Sequence, residues 1–163
     1  MISKRLLSIL VLFAVLSFPA SASVVSFLLV ETGLGNGNME TQYTSLWEGG
    51  LMNAFFDAGH IVNNSPIARM ERIPARDFTG TVEADFKDAV SGGAEFFILG
   101  FIDYQVQAGK PVPTGIILKI YKTKSQEVVY EQRFQAGTGK SLNEEYQIAQ
   151  STGRIVVSHL KDR

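Results

Sequence analysis

The feature that most constrains the fold is an apolar run that follows the glycine pair Gly92-Gly93. The seven residues from 96 to 102 are Phe-Phe-Ile-Leu-Gly-Phe-Ile, with no polar residue among them. Successive side chains of a strand point to opposite faces, so a run without alternation is typical of a strand covered on both faces. The sequence therefore predicts a central strand within Gly93 to Gln107.

The N-terminus has the pattern of a secretory signal peptide. Two basic residues, Lys4 and Arg5, precede an apolar run at 6–18, and small residues follow at Ala20 and Ala22. This order predicts a signal peptide over 1–22, cleavage after Ala22, and one exported, periplasmic domain over 23–163. The apolar run is too short for an ordinary spanning helix, and no second run of that kind follows. We therefore expect no membrane span after cleavage.

Composition narrows the class of protein further. Cleavage would remove two of the 15 basic residues and none of the 16 acidic ones, leaving a net charge of -3. The basic residues are scattered, so nucleic acid is not an expected partner. The chain contains no cysteine, so an exported domain of this size must be stabilised by its core and not by disulfides.

Apolar spacing predicts the elements of the first half. Val24 to Glu31 is rich in β-forming residues and ends at a glycine cluster, which predicts the first strand. A 3.6-residue apolar stripe from Tyr43 to Ala58 predicts a helix that ends at Gly59. Short apolar pieces within Ile61 to Met70 predict a further strand, without indicating which half of this segment pairs.

The second half predicts a helix, a hairpin and a final helix. Thr81 is predicted to cap the helix, whose buried face would carry Val82, Phe86, Ala89 and Val90 and which would stop at the glycine pair. Strands at 116–122 and 127–135 flank a polar turn at 123–126, which predicts an antiparallel hairpin.

Two details of this second half are specific enough to be checked. The prolines within Gly109 to Pro113 predict a loop after the central strand. Simple alternation places Val128, Tyr130 and Phe134 on one face of the last strand. A capping box formed by Ser141 and Glu144 is predicted to open the last helix.

Together these elements predict an α+β fold. Its mixed sheet would have about five strands, in the order β-α-β-α-β-β-β-α, with the helices packed on the sheet.

The residues offer little for catalysis or for binding a metal or cofactor. The only histidines, His60 and His159, lie in no recognisable motif, and there is no cysteine nucleophile. The glycine-rich loop from Gly33 to Asn38 lacks the lysine and the glycine spacing of phosphate-binding loops. The acidic residues Glu83, Asp85 and Asp88 lack calcium-loop spacing and are typical of a solvated helix face. We therefore expect no catalytic, metal-binding or cofactor-binding residues.

The first helix carries a second apolar line that the sheet cannot cover. Ser45, Gly49, Met52 and Phe56 recur at helical spacing on the side away from the main stripe. If exposed, this line predicts a partner-binding or self-association surface, with Gly49 allowing close approach of another backbone. Alternatively, the loop from Asn63 to Asp77 covers it.

Three short segments resemble a family of bacterial envelope domains. Phe27 to Gly33 is similar to the family's first strand and Thr-Gly turn, and Gly93 to Gly100 resembles its Gly-Ala-Asp-Tyr-x-Leu-x-Gly strand. Tyr121 to Tyr130 is similar to its usual hairpin. The family comprises the N-terminal domain of TolB, CsgG, and LpoB-type activators of penicillin-binding proteins. The resemblance implies a non-enzymatic domain that binds other envelope proteins, and it transfers no functional residue to this chain.

Two functions from different classes follow as expectations. The first is an exported envelope interaction module that binds an envelope protein, of unknown identity, or forms a homo-oligomer. The alternative is a small envelope hydrolase or ligand-binding enzyme that uses carboxylates near the Gly33 to Asn38 loop. A pocket with converging polar groups would favour the enzyme, whereas a closed core with an exposed apolar line would favour the module.

Overall fold

The computed structural model describes residues 22–35 and 42–161. The predicted signal peptide lies outside these residues apart from its last position, as does part of the glycine-rich loop. No helix in the described ranges is long and apolar enough to cross a membrane.

The structure is an α+β fold with one mixed sheet and three helices, as predicted. Its elements in chain order are β1 (Val24–Thr32), α1 (Gln42–Asp57), β2 (Ile61–Asn64), β3 (Ala68–Arg69), α2 (Thr81–Ser91), β4 (Phe96–Gln107), β5 (Lys110–Lys122), β6 (Glu127–Phe134) and α3 (Leu142–Lys161).

The apolar run forms the middle strand of the sheet. Strand order is β2-β1-β4-β5-β6, with β3 also paired with β1. Strand β4 therefore lies in the interior of the sheet, between β1 and β5. It pairs in parallel with β1 and antiparallel with β5. The predicted position of this strand is confirmed, and its unalternating sequence follows from apolar cover on both faces.

Each face of the sheet has its own apolar core. On one face, α1 and α3 pack over strand residues that include Phe27, Ile98 and Leu118. On the other face, α2 and the segment that precedes it pack over Leu28, Leu99 and neighbouring residues. Because β1 contributes to both cores, residues 25–32 of this strand are all buried.

The segment between α1 and α2 contains two short strands. Both β2 and β3 pair in parallel with β1, at Val24↔Ile61 and Val30↔Ala68 respectively. Both halves of the predicted strand therefore pair, separated by a break around Pro66. The residues after β3, among them Met70, Ile73 and Phe78, pack on the core beneath α2.

The predicted loop from Gly109 to Pro113 is wrong. Strand β5 begins at Lys110, and Pro111 and Pro113 pair with Val106 and Tyr104 of β4. Strand β6 pairs with β5 only from Ile116 onward, so no described strand pairs with the other side of β5 at these prolines, although Gly137 packs against Pro113 there. A side of a strand that pairs with no other strand requires no backbone amide donor, and it tolerates proline for that reason.

The predicted side-chain faces of β6 are partly wrong. The register shifts between Ile120 and Tyr121, where Tyr130 pairs with the first residue and Val128 with the second. The extra residue at the bulge reverses the alternation. Val128 consequently lies on the α2 face and is 43% exposed, whereas Tyr130 and Phe134 pack with the other core.

Helix ends show one correction and one agreement. Gly80, with φ of 55°, occupies the cap position of α2, no side chain caps it, and Thr81 is the first helical residue. At α3 the Glu144 amide donates to Ser141 Oγ over 3.1 Å, as the predicted capping box requires, while the Glu144 side chain accepts from the amide of Lys140, one residue before the cap. Val90, predicted to be buried, is 45% exposed at the end of α2.

Candidate functional site

Helix α1 is positioned by a close crossing with α3. A Cβ atom at Gly50 would lie 2.7 Å from Ala149 Cβ and 2.9 Å from the Tyr146 carbonyl oxygen. One at Gly153 would lie 2.6 Å from Ala54 Cβ. Small residues four apart on both helices therefore bring the two backbones together. This crossing settles which side of α1 faces outward.

The outward side carries the line predicted from the sequence. Ser45 and Phe56 are exposed, while Gly49 and Met52 are half-buried. Met52 packs at the margin of the core, and a Cβ at Gly49 would lie 3.7 Å from a Tyr146 ring carbon. The close backbone approach expected at Gly49 occurs inside the chain at its neighbour Gly50. The exposed apolar part of the line is thus centred on Phe56.

Phe56 is the most exposed large apolar side chain among the described residues, at 66%. The loop expected to cover it packs instead on the opposite face of the sheet, where Met70 and Phe78 join the core beneath α2. Ile61, at the start of the edge strand β2, is 59% exposed. The turn between them is closed by a 2.9 Å hydrogen bond from the Gly59 amide to the Phe56 carbonyl. Ile61 pairs with Val24, which packs on the core beneath α2, so it lies on the other face of the sheet. We call Phe56 and Met52 the α1 patch.

Polar residues border this patch on the β2 side. Asn64 donates to Glu48 Oε1 over 3.0 Å and so ties β2 to α1. Burial raises the pKa of Glu48, and the hydrogen bond from Asn64 opposes that shift. A half-buried carboxylate beside an apolar area is typical of the polar margin around an interaction surface.

The alternative site, near the glycine-rich loop, contains a buried carboxylate. Glu31 ends β1 with 3% of its surface exposed. It accepts from Thr44 Oγ1 over 2.7 Å and from Arg69 Nε and Nη2 over 3.0 and 2.7 Å. Thr44 Oγ1 also lies 2.8 Å from the Tyr104 hydroxyl. This network joins β1, α1, β3 and β4 and neutralises the buried charge.

A second carboxylate, that of Asp103, lies within β4 opposite Thr32 at the end of β1. Asp103 accepts from Thr32 Oγ1 over 3.2 Å and lies 3.8 Å from Arg133. The carboxyl ends of parallel strands are where open α/β sheets bind ligands. Here, however, the carboxylates bond to neighbouring side chains, and the Tyr104 carbonyl closes on Gly33, where a Cβ would lie 2.2 Å away.

Two grooves on the described surface lie at the other end of the sheet from these carboxylates. An open groove of about 760 Å³ runs between α2 and the β5–β6 turn, over Phe78, Phe86 and Val90. Lys124 and Ser125 also border a smaller one of about 220 Å³ beside Phe96. Neither is lined by Glu31 or Asp103. The predicted carboxylate site and the observed grooves are therefore in different places.

Glu145 is a buried charged residue that sequence reasoning missed. It is fully buried and accepts from Trp47 Nε1 over 2.7 Å and from the amides of Gly137 and Gly139 over 2.6 and 2.8 Å. The carboxylate thus fastens α1 and the loop after β6 to the start of α3. In the sequence, only its position next to Glu144 of the predicted capping box could have drawn attention to Glu145.

The remaining polar residues considered for chemistry are apart from one another. His60 is buried, with its ring 5.9 Å from that of Phe55, and the ring of His159 lies 4.6 Å from that of Tyr130. Glu83 forms an ion pair with Lys87 on the surface of α2. Within the described ranges, no three acidic or histidine residues group as a metal site requires.

Comparison with known proteins gives fold similarity. No family model matches the sequence, and no curated protein is significantly similar to it. A PelC dodecamer from Paraburkholderia phytofirmans superposes with a TM-score of 0.50 at 14% identity, over 85% of this chain and 87% of that one. At this identity the similarity establishes a common fold and does not extend to function.

Two proteins named in the sequence resemblance are also among the similar structures. TolB from Acinetobacter baumannii gives a TM-score of 0.41 at 10% identity, over 86% of this chain and 27% of that one. The LpoB C-terminal domain from Salmonella enterica gives 0.38 at 13% identity, over 72% and 84%. The resemblance to CsgG stays a prediction. The chain thus has the PelC-like fold, an α+β sheet with two helices on one face and one on the other.

Proposed function

We propose that this protein is an exported, non-enzymatic interaction module of the bacterial envelope. It binds an envelope protein, or a second copy of itself, through the α1 patch. The observation that carries the proposal is the 66% exposure of Phe56 on a helix whose opposite side packs on the sheet and on α3. Exposed aromatic area next to a polar margin is typical of protein interaction sites.

The state of the carboxylates supports a module over the alternative hydrolase. A general acid or base must reach substrate, and a nucleophilic carboxylate must be accessible. Glu31 is buried in an ion pair with Arg69, and the Asp103 carboxylate accepts a hydrogen bond from Thr32 Oγ1 and lies 3.8 Å from Arg133. These contacts give the carboxylates a structural role in joining strands to α1.

Two further observations support the compartment and the kind of partner. The signal peptide pattern at 1–22 directs a chain to the envelope. PelC, which has the same fold, is a dodecamer in its solved structure, and this supports including a second copy of the chain among the partners.

The substitution Phe56→Ser tests the proposal. Because the side chain is mostly exposed, the variant should melt within a few degrees of the parent, while its binding to the partner should weaken about tenfold or more. A photo-crosslinking residue placed at position 56 in the exported protein should give an adduct of defined mass in cells. The matched control is position 90, where Val90 is also exposed but lies on α2.

Two outcomes would contradict the proposal. One is a large loss of stability in Phe56→Ser, since that would show a buried structural role. The other is equal crosslinking at positions 56 and 90, since that would show no preference for the α1 patch.

A further inference from the structure

The second candidate surface is the free edge of the sheet at β6. Among the described residues, this strand ends the strand order and pairs only with β5. The bulge in β6 precedes Tyr130, so the regular part of the strand is the five-residue segment Tyr130–Phe134. A regular edge of this kind leaves alternate backbone amides and carbonyls available to another strand.

The side chains of this segment are self-complementary about its central residue. If two copies of β6 pair antiparallel with Gln132 opposite Gln132, Glu131 lies opposite Arg133 in both directions. Both side chains are more than half exposed, at 53% and 55%, and both lie on the α2 face. Opposite charges directly across an antiparallel pair stabilise it, and like charges destabilise it.

The other face of the segment is complementary in the same register. Tyr130 lies opposite Phe134 of the second copy, giving two aromatic pairs on the α1–α3 face. The paired positions differ by an even number of residues. The residues of β6 whose amide and carbonyl groups point outward therefore lie opposite residues of the second copy whose amide and carbonyl groups also point outward.

Helix α3 adds apolar area beside this edge. The ring of His159 lies 4.6 Å from that of Tyr130, which places this side of α3 above β6. Ile155, one helical turn earlier on the same side, is 50% exposed. A twofold axis through β6 would bring the two Ile155 side chains toward each other across the new strand pair.

We infer that two copies of this chain pair through β6, antiparallel and centred on Gln132, to form one continuous sheet. The interface is isologous, with Glu131–Arg133 pairs on one face and Tyr130, Phe134 and Ile155 on the other. It lies at the opposite edge of the sheet from β2 and the α1 patch. The pairing is therefore independent of the proposed function.

Charge exchange provides the first test, on protein expressed from the full-length sequence and purified as exported. Glu131→Arg alone and Arg133→Glu alone should each weaken dimerisation about tenfold or more, because like charges then face each other. The double variant Glu131→Arg/Arg133→Glu should restore it. An equimolar mixture of the two single variants should also form heterodimers, since each then faces opposite charge. Analytical ultracentrifugation and native mass spectrometry measure all four.

A cysteine substitution tests the register itself. The chain has no cysteine, so any disulfide must come from an introduced thiol. Two Gln132→Cys copies would meet on the axis with Cα atoms about 4.5–5.5 Å apart, within disulfide range. Glu127→Cys is the matched control on the same strand, because the register separates its two copies by roughly 30 Å.

The expected result is a covalent dimer from Gln132→Cys under mild oxidation and none from Glu127→Cys. Phe56→Ser should leave this crosslinking unchanged. The inference is overturned if Gln132→Cys stays monomeric. It is also overturned if the variants keep the parent's melting temperature while neither the double variant nor the mixture recovers the dimer.

Discussion

At the scale of single residues, Ala108 is held in a conformation that its side chain disfavours. It has φ of 50°, and Gly109, the next residue, has φ of 78°. The two join β4 to β5, where Gln107 pairs with Lys110. Positive φ at both central residues is the requirement of a type I′ hairpin turn, in which asparagine and glycine are preferred.

Ala108→Asn should stabilise the protein by about 0.5–1 kcal/mol, because asparagine tolerates left-handed backbone better than alanine does. Ala108→Val should act in the opposite direction, since a Cβ-branched side chain is strained there. Denaturant unfolding monitored by Trp47 fluorescence measures both variants. Equal destabilisation by the two substitutions would contradict this account of the turn.

Single-residue predictions from the sequence succeeded only where the signal is local. The position of Phe56 on the side of α1 away from the sheet follows from helical spacing, whereas its exposure was left open because the Asn63 to Asp77 loop could have covered it. The partners of Glu31 and Glu145 could not be predicted, since Thr44, Arg69 and Trp47 approach them only through the tertiary fold. The sequence does not distinguish a buried glutamate from a solvated one, because the hydrogen-bond donors that stabilise the buried carboxylate come from distant parts of the chain.

At the scale of elements, the α1–α3 crossing depends on where glycine stands. Gly50 faces backbone atoms of α3 at under 3.0 Å from a hypothetical Cβ, whereas Gly49 has ordinary contact distance there. A methyl group added at Gly50 would therefore clash with α3, whereas one added at Gly49 would make an ordinary contact.

Gly50→Ala should destabilise the protein by about 1–2 kcal/mol, because the clash outweighs the gain in helix propensity of about 1 kcal/mol. Gly49→Ala is the matched control and should stabilise by about 0.5–1 kcal/mol, since it gains the propensity without the clash. Chemical denaturation of both variants gives the comparison. Effects of the same sign would show that the crossing is not close-packed.

The types of the elements could be predicted because the spacing of apolar residues along each element is clear. Errors occurred where the pairing of two strands determines the structure. The 3.6-residue stripe located α1, and the unalternating run located β4. The sequence around Pro111 and Pro113 suggested a loop, because nothing local indicates that β6 leaves one side of β5 unpaired there. The bulge beside Tyr121 is likewise a property of two strands together, so the face of Val128 could not be derived from β6 alone.

At the scale of the whole molecule, one acidic residue fastens the segment before α2 to the sheet. Asp77 accepts from Lys119 Nζ over 2.9 Å and from the Tyr121 hydroxyl. Phe78 beside it packs edge-on against Phe86 and Tyr121. The segment thereby completes the core on the α2 face.

The charges at this contact predict a loss of stability in alkali. Burial, then the hydrogen bond and charge of Asp77, raise the pKa of Tyr121. Burial disfavours the charged form of Lys119, but the hydrogen bond and charge of Asp77, with those of Glu131, outweigh it and raise the pKa of Lys119. The unfolded pKa values are 10.0 for Tyr121 and 10.5 for Lys119. Because both pKa values are raised in the folded state, the two groups contribute fully to stability below these values. That contribution is lost as the pH rises toward the folded pKa values.

The free energy of unfolding should therefore fall as pH rises above about 10. Tyr121→Phe should make that fall shallower while lowering stability at pH 8 by about 1 kcal/mol, for the lost hydrogen bond. Asp77→Asn should also make the fall shallower, because it removes a charge that raises the pKa of both groups, although the burial of Tyr121 remains. Urea titrations at pH 8 and at pH 10.5–11 test this, and a fall in Tyr121→Phe as steep as the parent's would refute it.

The burial of β1 in the sheet has a consequence for folding if the chain is exported, as we propose. Thr32 of β1 bonds to Ile102 of β4, 70 residues further along the chain. A polypeptide threaded across a membrane from its N-terminus delivers β1 long before the strand that covers it. The centre of the sheet could therefore not form before β4 had emerged, because β1 pairs with it up to Asp103. In such an export, β1 would wait for its central partner until nearly two thirds of the sequence had crossed the membrane.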